Sequence, residues 1–102
     1  PRFQEPNFSH NLKALQELEA LANQAGCTPG QLALAWLLAQ SPCVIPIPGT
    51  RSVQHLKENL QAAHLTLDAT VLQRAGELIN QHTIAGNRYP EATLKEIDTE
   101  EI

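Results

Sequence analysis

Arg51, His55, Glu58 and Asn59 are the residues of this chain whose types and spacing could do chemistry. In a helix entered just after Arg51, the positions of Arg51, His55 and Asn59 stack at i, i+4 and i+8, with Glu58 beside them. They follow Cys43-Val44-Ile45-Pro46-Ile47-Pro48-Gly49-Thr50, a short β-branched run that breaks at Pro-Gly and turns through Thr50, Arg51 and Ser52. The order is strand, loop, helix. A helix N-terminus presents N–H groups without intrahelical partners and a partial positive charge, so with an arginine beside it the natural ligand is an anion such as a phosphate. The local charge agrees: between Pro42 and Leu67 the only carboxylate is Glu58, whereas Arg51, Lys57, His55 and His64 all fall there. Over the whole chain the formal charge is −4, which excludes the broad basic surface that non-specific binding to nucleic acid or to an anionic membrane requires.

The elements that must position these groups follow from hydrophobic period and punctuation. Residues 1–9 are polar with two prolines and read as a loop. Residues 10–40 predict two helices. Ser9 is placed to cap the first, whose core stripe is Leu12, Leu15, Leu18, Ala22 and Ala25, and Gly26 stops it. Thr28-Pro29-Gly30-Gln31 then supplies a capping threonine, a proline at the first helical position and a glutamine that closes a capping box. The following Leu32-to-Ala39 run is apolar on all sides, which predicts a helix buried between layers with Trp36 in the core. Residues 43–48, apolar on both faces apart from the prolines, predict one strand in the interior of a parallel sheet, and its partner strands are expected outside this chain. Residues 52–81 predict two more helices. Ser52 is placed to cap the third, with Val53, Leu56, Leu60 and Ala63 on its core face and His55, Glu58 and Asn59 on the side turned to a ligand. Thr66 precedes the fourth, which carries Asp68 in its first turn and Leu67, Val71, Ala75, Leu78 and Ile79 inward. Residues 82–102 read as a loop and an acidic tail with a short helix around Ala92 to Ile97.

Other side chains give bland readings. Cys27 and Cys43 have no metal or redox spacing and are expected to be reduced packing residues, both buried. His10, His64 and His82 lack ligand spacing, so no metal is expected. Neither a signal peptide nor a membrane-spanning run is present in these residues, which makes the cytoplasm the expected compartment. The 102 residues contain no methionine, and the chain is expected to be a piece of a longer polypeptide. Helix, buried helix, strand, loop, helix, helix, tail is the order in which a (β/α) barrel ends, and in such barrels a phosphate site is often built from the loops after the last strands.

Several motifs carry a family resemblance. Arg2-Phe3-Gln4, the run from Gly26 to Leu38, the turn Ile45-Pro46-Ile47-Pro48-Gly49-Thr50, and Leu56-Lys57-Glu58-Asn59-Leu60 resemble the C-terminal third of the aldo-keto reductases, in the bacterial and fungal branches with Pro-Gly-Thr in the turn. The resemblance implies that residues 1–102 are the C-terminal part of a single (β/α)8 barrel. Such a barrel binds NADP(H) without a Rossmann fold and reduces aldehydes or ketones to alcohols by hydride transfer. It further implies that Ile47, Pro48, Gly49, Thr50 and Arg51 grip the 2′-phosphate and pyrophosphate side of the cofactor, while His55, Glu58 and Asn59 contact the 2′-phosphate and adenine. Many members have lysine and serine where this chain has Gly49 and Thr50, and arginine in place of His55, which leaves Arg51 as the main fixed cation. The family's catalytic Asp, Tyr, Lys and His lie earlier in the barrel, so no catalytic residue is assigned here; Tyr89 falls in a loop that borders the substrate pocket. The implied partners are a small carbonyl substrate and the remainder of the same barrel. A non-catalytic auxiliary or binding subunit with the same barrel is the alternative.

Overall fold

The computed structural model describes residues 1–95, and its regular elements are helices. The first, α1 (Asn7–Ala25), ends on Gly26 at φ 76°, where the N–H of Cys27 returns to the carbonyl of Ala22 at 3.0 Å. Glycine meets this left-handed turn without steric cost. The second, α2 (Pro29–Gln40), begins on the capping box predicted for it, with Thr28 Oγ1 accepting the Gln31 N–H at 3.1 Å and Gln31 Oε1 accepting the Thr28 N–H at 3.1 Å. An extended stretch leads to α3 (Val53–Gln61), which tightens into a 3₁₀ turn over Ala62–His64. Then come α4 (Ala69–Leu78) and the single turn α5 (Glu91–Leu94).

Helix α2 is the hub, packing against α1, α3 and α4, while α1 also packs on α4. Their shared core is Ala22, Leu32 and Ala75, surrounded by Leu18, Leu21, Cys27, Trp36, Leu67 and Val71. Close approach of α2 and α4 depends on Gly76: a Cβ there would lie 3.2 Å from the Trp36 indole nitrogen. A mid-helix glycine costs about 1 kcal/mol in propensity relative to alanine, and here it makes room for the ring. At the other end of α1, Asn11 works as a two-sided peptide mimic. Its Nδ2 donates to the carbonyls of Arg2 at 3.1 Å and Ala85 at 2.9 Å, and its Oδ1 accepts the Ala85 N–H at 2.8 Å. Arg2 Nε donates to the Gly86 carbonyl at 3.1 Å, so the opening segment and the loop after α4 are clasped together.

Several expectations need correction. Among the described residues there is no strand, and residues 44–50 are extended chain without a ladder. Pro46 and Pro48 lack an N–H, and the remaining polar groups of the run have no neighbouring strand within this chain to pair with. Ile45 and Ile47 are accordingly 82% and 92% exposed. The predicted core face of α3 is also open: Val53 is 71% and Leu60 62% exposed, although Leu56 and Leu60 of that face border the groove against Leu34 and Leu38 of α2. Helix α2 is buried on one face only, with Leu32 and Ala35 inside and Leu37 and Leu38 partly in solvent, and Trp36 is half-buried. Cys43 is exposed and Cys27 half-buried; desolvation raises the Cys27 thiol above its ordinary value. The loop over residues 1–9 is shorter than expected, since α1 starts at Asn7. Ser9 does not cap it; Glu5 accepts both the Ser9 hydroxyl at 2.6 Å and the Ser9 N–H at 3.3 Å. Asp68 is the N-cap residue of α4 rather than part of its first turn, and its side chain makes no capping bond. The short helix expected around Ala92 to Ile97 is seen as Glu91–Leu94, and Glu96 and Ile97 lie outside the described residues.

Candidate functional site

The turn before α3 is built by local hydroxyl bonding. Thr50 Oγ1 accepts the Ser52 N–H and donates to the Ser52 carbonyl, both at 3.2 Å. Ser52 in turn caps α3, its Oγ accepting the His55 N–H at 3.2 Å, as the sequence predicts. The Leu56 N–H closes the first helical bond on the Ser52 carbonyl at 2.9 Å. This leaves the N–H groups of Val53 and Gln54 without intrahelical partners at the positive end of α3. Arg51 stands beside them, exposed, and among the described residues it makes no ion pair. His55, one turn into the helix, is exposed as well. Gly49 is exposed and a Cβ on it would meet nothing within 4 Å, so a side chain fits there.

Glu58 and Asn59 depart from the expected arrangement. Both are half-buried rather than fully turned to solvent. Glu58 reaches across to α2, where its Oε1 accepts the Thr28 hydroxyl at 2.7 Å. Its backbone carbonyl accepts Gln31 Nε2 at 3.0 Å, and the same amide donates to Gln61 Oε1 at 3.2 Å. Gln31, only 7% exposed, is the buried polar residue on which α2 and α3 meet. Asn59 lines a groove of about 200 Å³ between α2 and α3, with Leu34, Leu38, Leu56, Pro46 and Pro48 among its walls. Arg51 therefore stands exposed before α3 and His55 exposed one turn into it, whereas Glu58 and Asn59 lie further along the helix on its α2 side; Ile47, Pro48, Gly49 and Thr50 lead into the helix.

Thr28 and Gln31 were readable in the sequence as a helix start, but their contact with Glu58, some thirty residues on, was not. Asn11 gave no signal at all. Tyr89 is half-buried, and the Arg88 guanidinium carbon lies 5.0 Å from its ring centroid, a cation–π arrangement. Among the described residues no cluster of His, Cys, Asp and Glu could hold a metal, and no helix is long and apolar enough to cross a membrane.

The start of α3 thus offers an exposed arginine and two open N–H groups, and a half-buried carboxylate lies further along the same helix. Comparison with known proteins makes the family definite. The family model for the aldo/keto reductases matches residues 1–80. The chain is 41% identical over 90 residues to the aldo-keto reductase yakc [NADP(+)] of Schizosaccharomyces pombe, covering 88% of this chain and 26% of that protein. It is 39% identical over 89 residues to the probable aldo-keto reductase 1 of Glycine max, covering 87% and 26%. To the aldo-keto reductase str7 of Strobilurus tenacellus it is 34% identical over 102 residues, covering 100% and 30%. The chain belongs to the aldo/keto reductase family, and it spans between a quarter and a third of the length of these relatives.

Proposed function

We propose that this chain is the C-terminal, cofactor-gripping part of an NADP(H)-dependent aldo-keto reductase that reduces aldehydes or ketones to alcohols by hydride transfer. The observation that carries the reading is the capped start of α3, with Arg51 exposed beside the open N–H groups of Val53 and Gln54. That donor set fits a phosphate: a guanidinium can pair two phosphate oxygens at once, and backbone N–H groups at a helix start complete the shell. One of the relatives is named for NADP(+), which supports the phosphorylated cofactor over its unphosphorylated counterpart.

Each residue has a task in this reading. Arg51 pairs with the 2′-phosphate, and His55 one turn on adds a second contact. Ile47, Pro48, Gly49 and Thr50 form the strap over the pyrophosphate side, with residues 43–48 completing the last strand of the barrel once their neighbours pair with them. Glu58 and Asn59 face the adenine. NADP(H), when bound, supplies or accepts the hydride; the residues of this chain bind and orient it. The carbonyl substrate and the rest of the barrel are the partners.

The test is the affinity of the intact polypeptide for NADPH and NADH, measured by quenching of protein fluorescence, before and after Arg51→Ala. The expected result is a loss of NADPH affinity of about tenfold or more, the scale of a charge-assisted contact, with NADH changed less than threefold. Equal weakening of both cofactors would remove Arg51 from the 2′-phosphate.

A further inference from the structure

The capping box of α2 uses more of its atoms than a cap requires. Capping consumes one lone pair on Thr28 Oγ1 and one on Gln31 Oε1. The donors of the same two side chains point elsewhere, and both point to α3. The Thr28 hydroxyl donates to Glu58 Oε1 at 2.7 Å, and Gln31 Nε2 donates to the Glu58 carbonyl at 3.0 Å and to Gln61 Oε1 at 3.2 Å. Glu58 is therefore held at its carboxylate and at its backbone by two residues one helical turn apart on α2. Its carboxylate also lies over the start of α2, with Oε1 3.9 Å from the place a Cβ would occupy on Gly30. The positive end of the helix macrodipole offsets its charge there. Among the described residues no donor reaches Oε2.

We propose that this box is a positioning device: Thr28 and Gln31 fix the rotamer of Glu58 and the rotation of α3, so that Glu58 Oε2 and Asn59 are presented to the adenine half of a 2′-phosphorylated nucleotide. The inference rests on the cofactor reading given above. An exocyclic amino group is the donor that an open carboxylate oxygen accepts from. The Thr28 hydroxyl holds the carboxylate toward α2, and among the described residues Arg51 makes no ion pair. Thr28 and Gln31 touch no ligand themselves; they act through Glu58.

Capping and positioning separate by substitution. Gln31→Glu keeps an acceptor for the Thr28 N–H, which is all the cap needs, but cannot donate to α3. Thr28→Asp keeps the cap acceptor and loses the hydroxyl donor. Thr28→Ser keeps both. The intact polypeptide is titrated with NADPH and with adenosine 2′,5′-bisphosphate by calorimetry, and thermal melts without ligand record the cap. Gln31→Glu and Thr28→Asp are each expected to weaken both ligands roughly five- to twentyfold, within the range of coupling between contacting residues. Thr28→Ser stays within about twofold, and Thr28→Asp adds nothing once Glu58→Gln is in place. If Gln31→Glu and Thr28→Asp bind as the parent does while Glu58→Gln and Arg51→Ala are weakened, the positioning role is wrong and the cofactor site stands. If Glu58→Gln and Arg51→Ala also bind as the parent does, the site and the inference fall together. Additive losses in the Thr28→Asp, Glu58→Gln pair would equally overturn the route through Glu58.

Discussion

Preparing residues 1–102 as an isolated polypeptide removes whatever covers Ile45, Ile47, Val53 and Leu60, and the scale of that perturbation follows from surface area. A folded monomer of 11.2 kDa exposes about 5,700 Å², whereas this chain exposes 7948 Å². The excess is roughly 2,200 Å². Even if the residues beyond Lys95 counted as fully extended, they would account for roughly 1,200 Å² of it. About 1,000 Å² remains, more than the ~800 Å² that each partner contributes to a standard interface. This remainder includes the apolar residues of the turn and of α3, while among the described residues the buried hydrophobic core is Leu32 and Leu78 with alanines. The isolated chain is expected to keep helical circular dichroism, to bind anilinonaphthalene sulfonate, to self-associate at micromolar concentration and to melt over a broad range. A sharp, reversible and concentration-independent transition in a monomer that binds no dye would refute the reasoning, because the exposed face would then need no cover.

Four further outcomes are expected. Asn11→Ala in the intact polypeptide removes three hydrogen bonds between the opening segment and the Ala85 loop and should cost about 2 kcal/mol in chemical denaturation, since a net bond contributes about 1 kcal/mol and the site is only partly buried. Cys43 is exposed in this chain and should alkylate rapidly in the isolated polypeptide but slowly in the intact one, as mass spectrometry after iodoacetamide would show; equal rates would argue against residues 43–48 joining a covered sheet. Cys27 should lag in the isolated chain, because burial raises its thiol and keeps it protonated at a pH where an ordinary thiol begins to ionise. Thiolate formation is penalised only in the folded state, so its contribution to stability is intact below the ordinary thiol pKa and is lost as pH rises through the raised one. His55→Ala should reduce NADPH affinity more than NADH affinity in the same titration, and equal losses would exclude a contact with the 2′-phosphate.

Local chemistry was legible in three turns but not in all: the Ser9 cap, equally local, does not form, and Asp68 is the N-cap residue of α4 instead of a first-turn residue. The Thr28 box, the Gly26 stop and the Ser52 cap involve residues within a few positions of each other, and all three form as the sequence predicts. The stripe of α4 was legible as well, since Ala75 and Leu78 are its buried residues. The further failures concern pairing and cover that the described residues do not provide. A β-branched run becomes a strand only when another strand pairs with it, and the apolar faces of α2 and α3 become core only when another layer lies on them. The apolar pattern names the surface that wants cover, and this chain alone does not supply it. At the site, residue types and order were readable from spacing, but the burial of Glu58 was not, because the hydroxyl that draws it inward belongs to another helix.

The contact between Gly76 and Trp36 has an optical consequence. Trp36 is the single tryptophan of this chain, and its indole lies against Gly76 where α4 meets α2. The emission of that ring reports on the seam itself: packed against a glycine backbone it is shielded on one side, and any parting of the two helices admits water and moves the spectrum to the red. In the isolated chain this provides a label that needs no chemistry to install, placed beside the core of Ala22, Leu32 and Ala75.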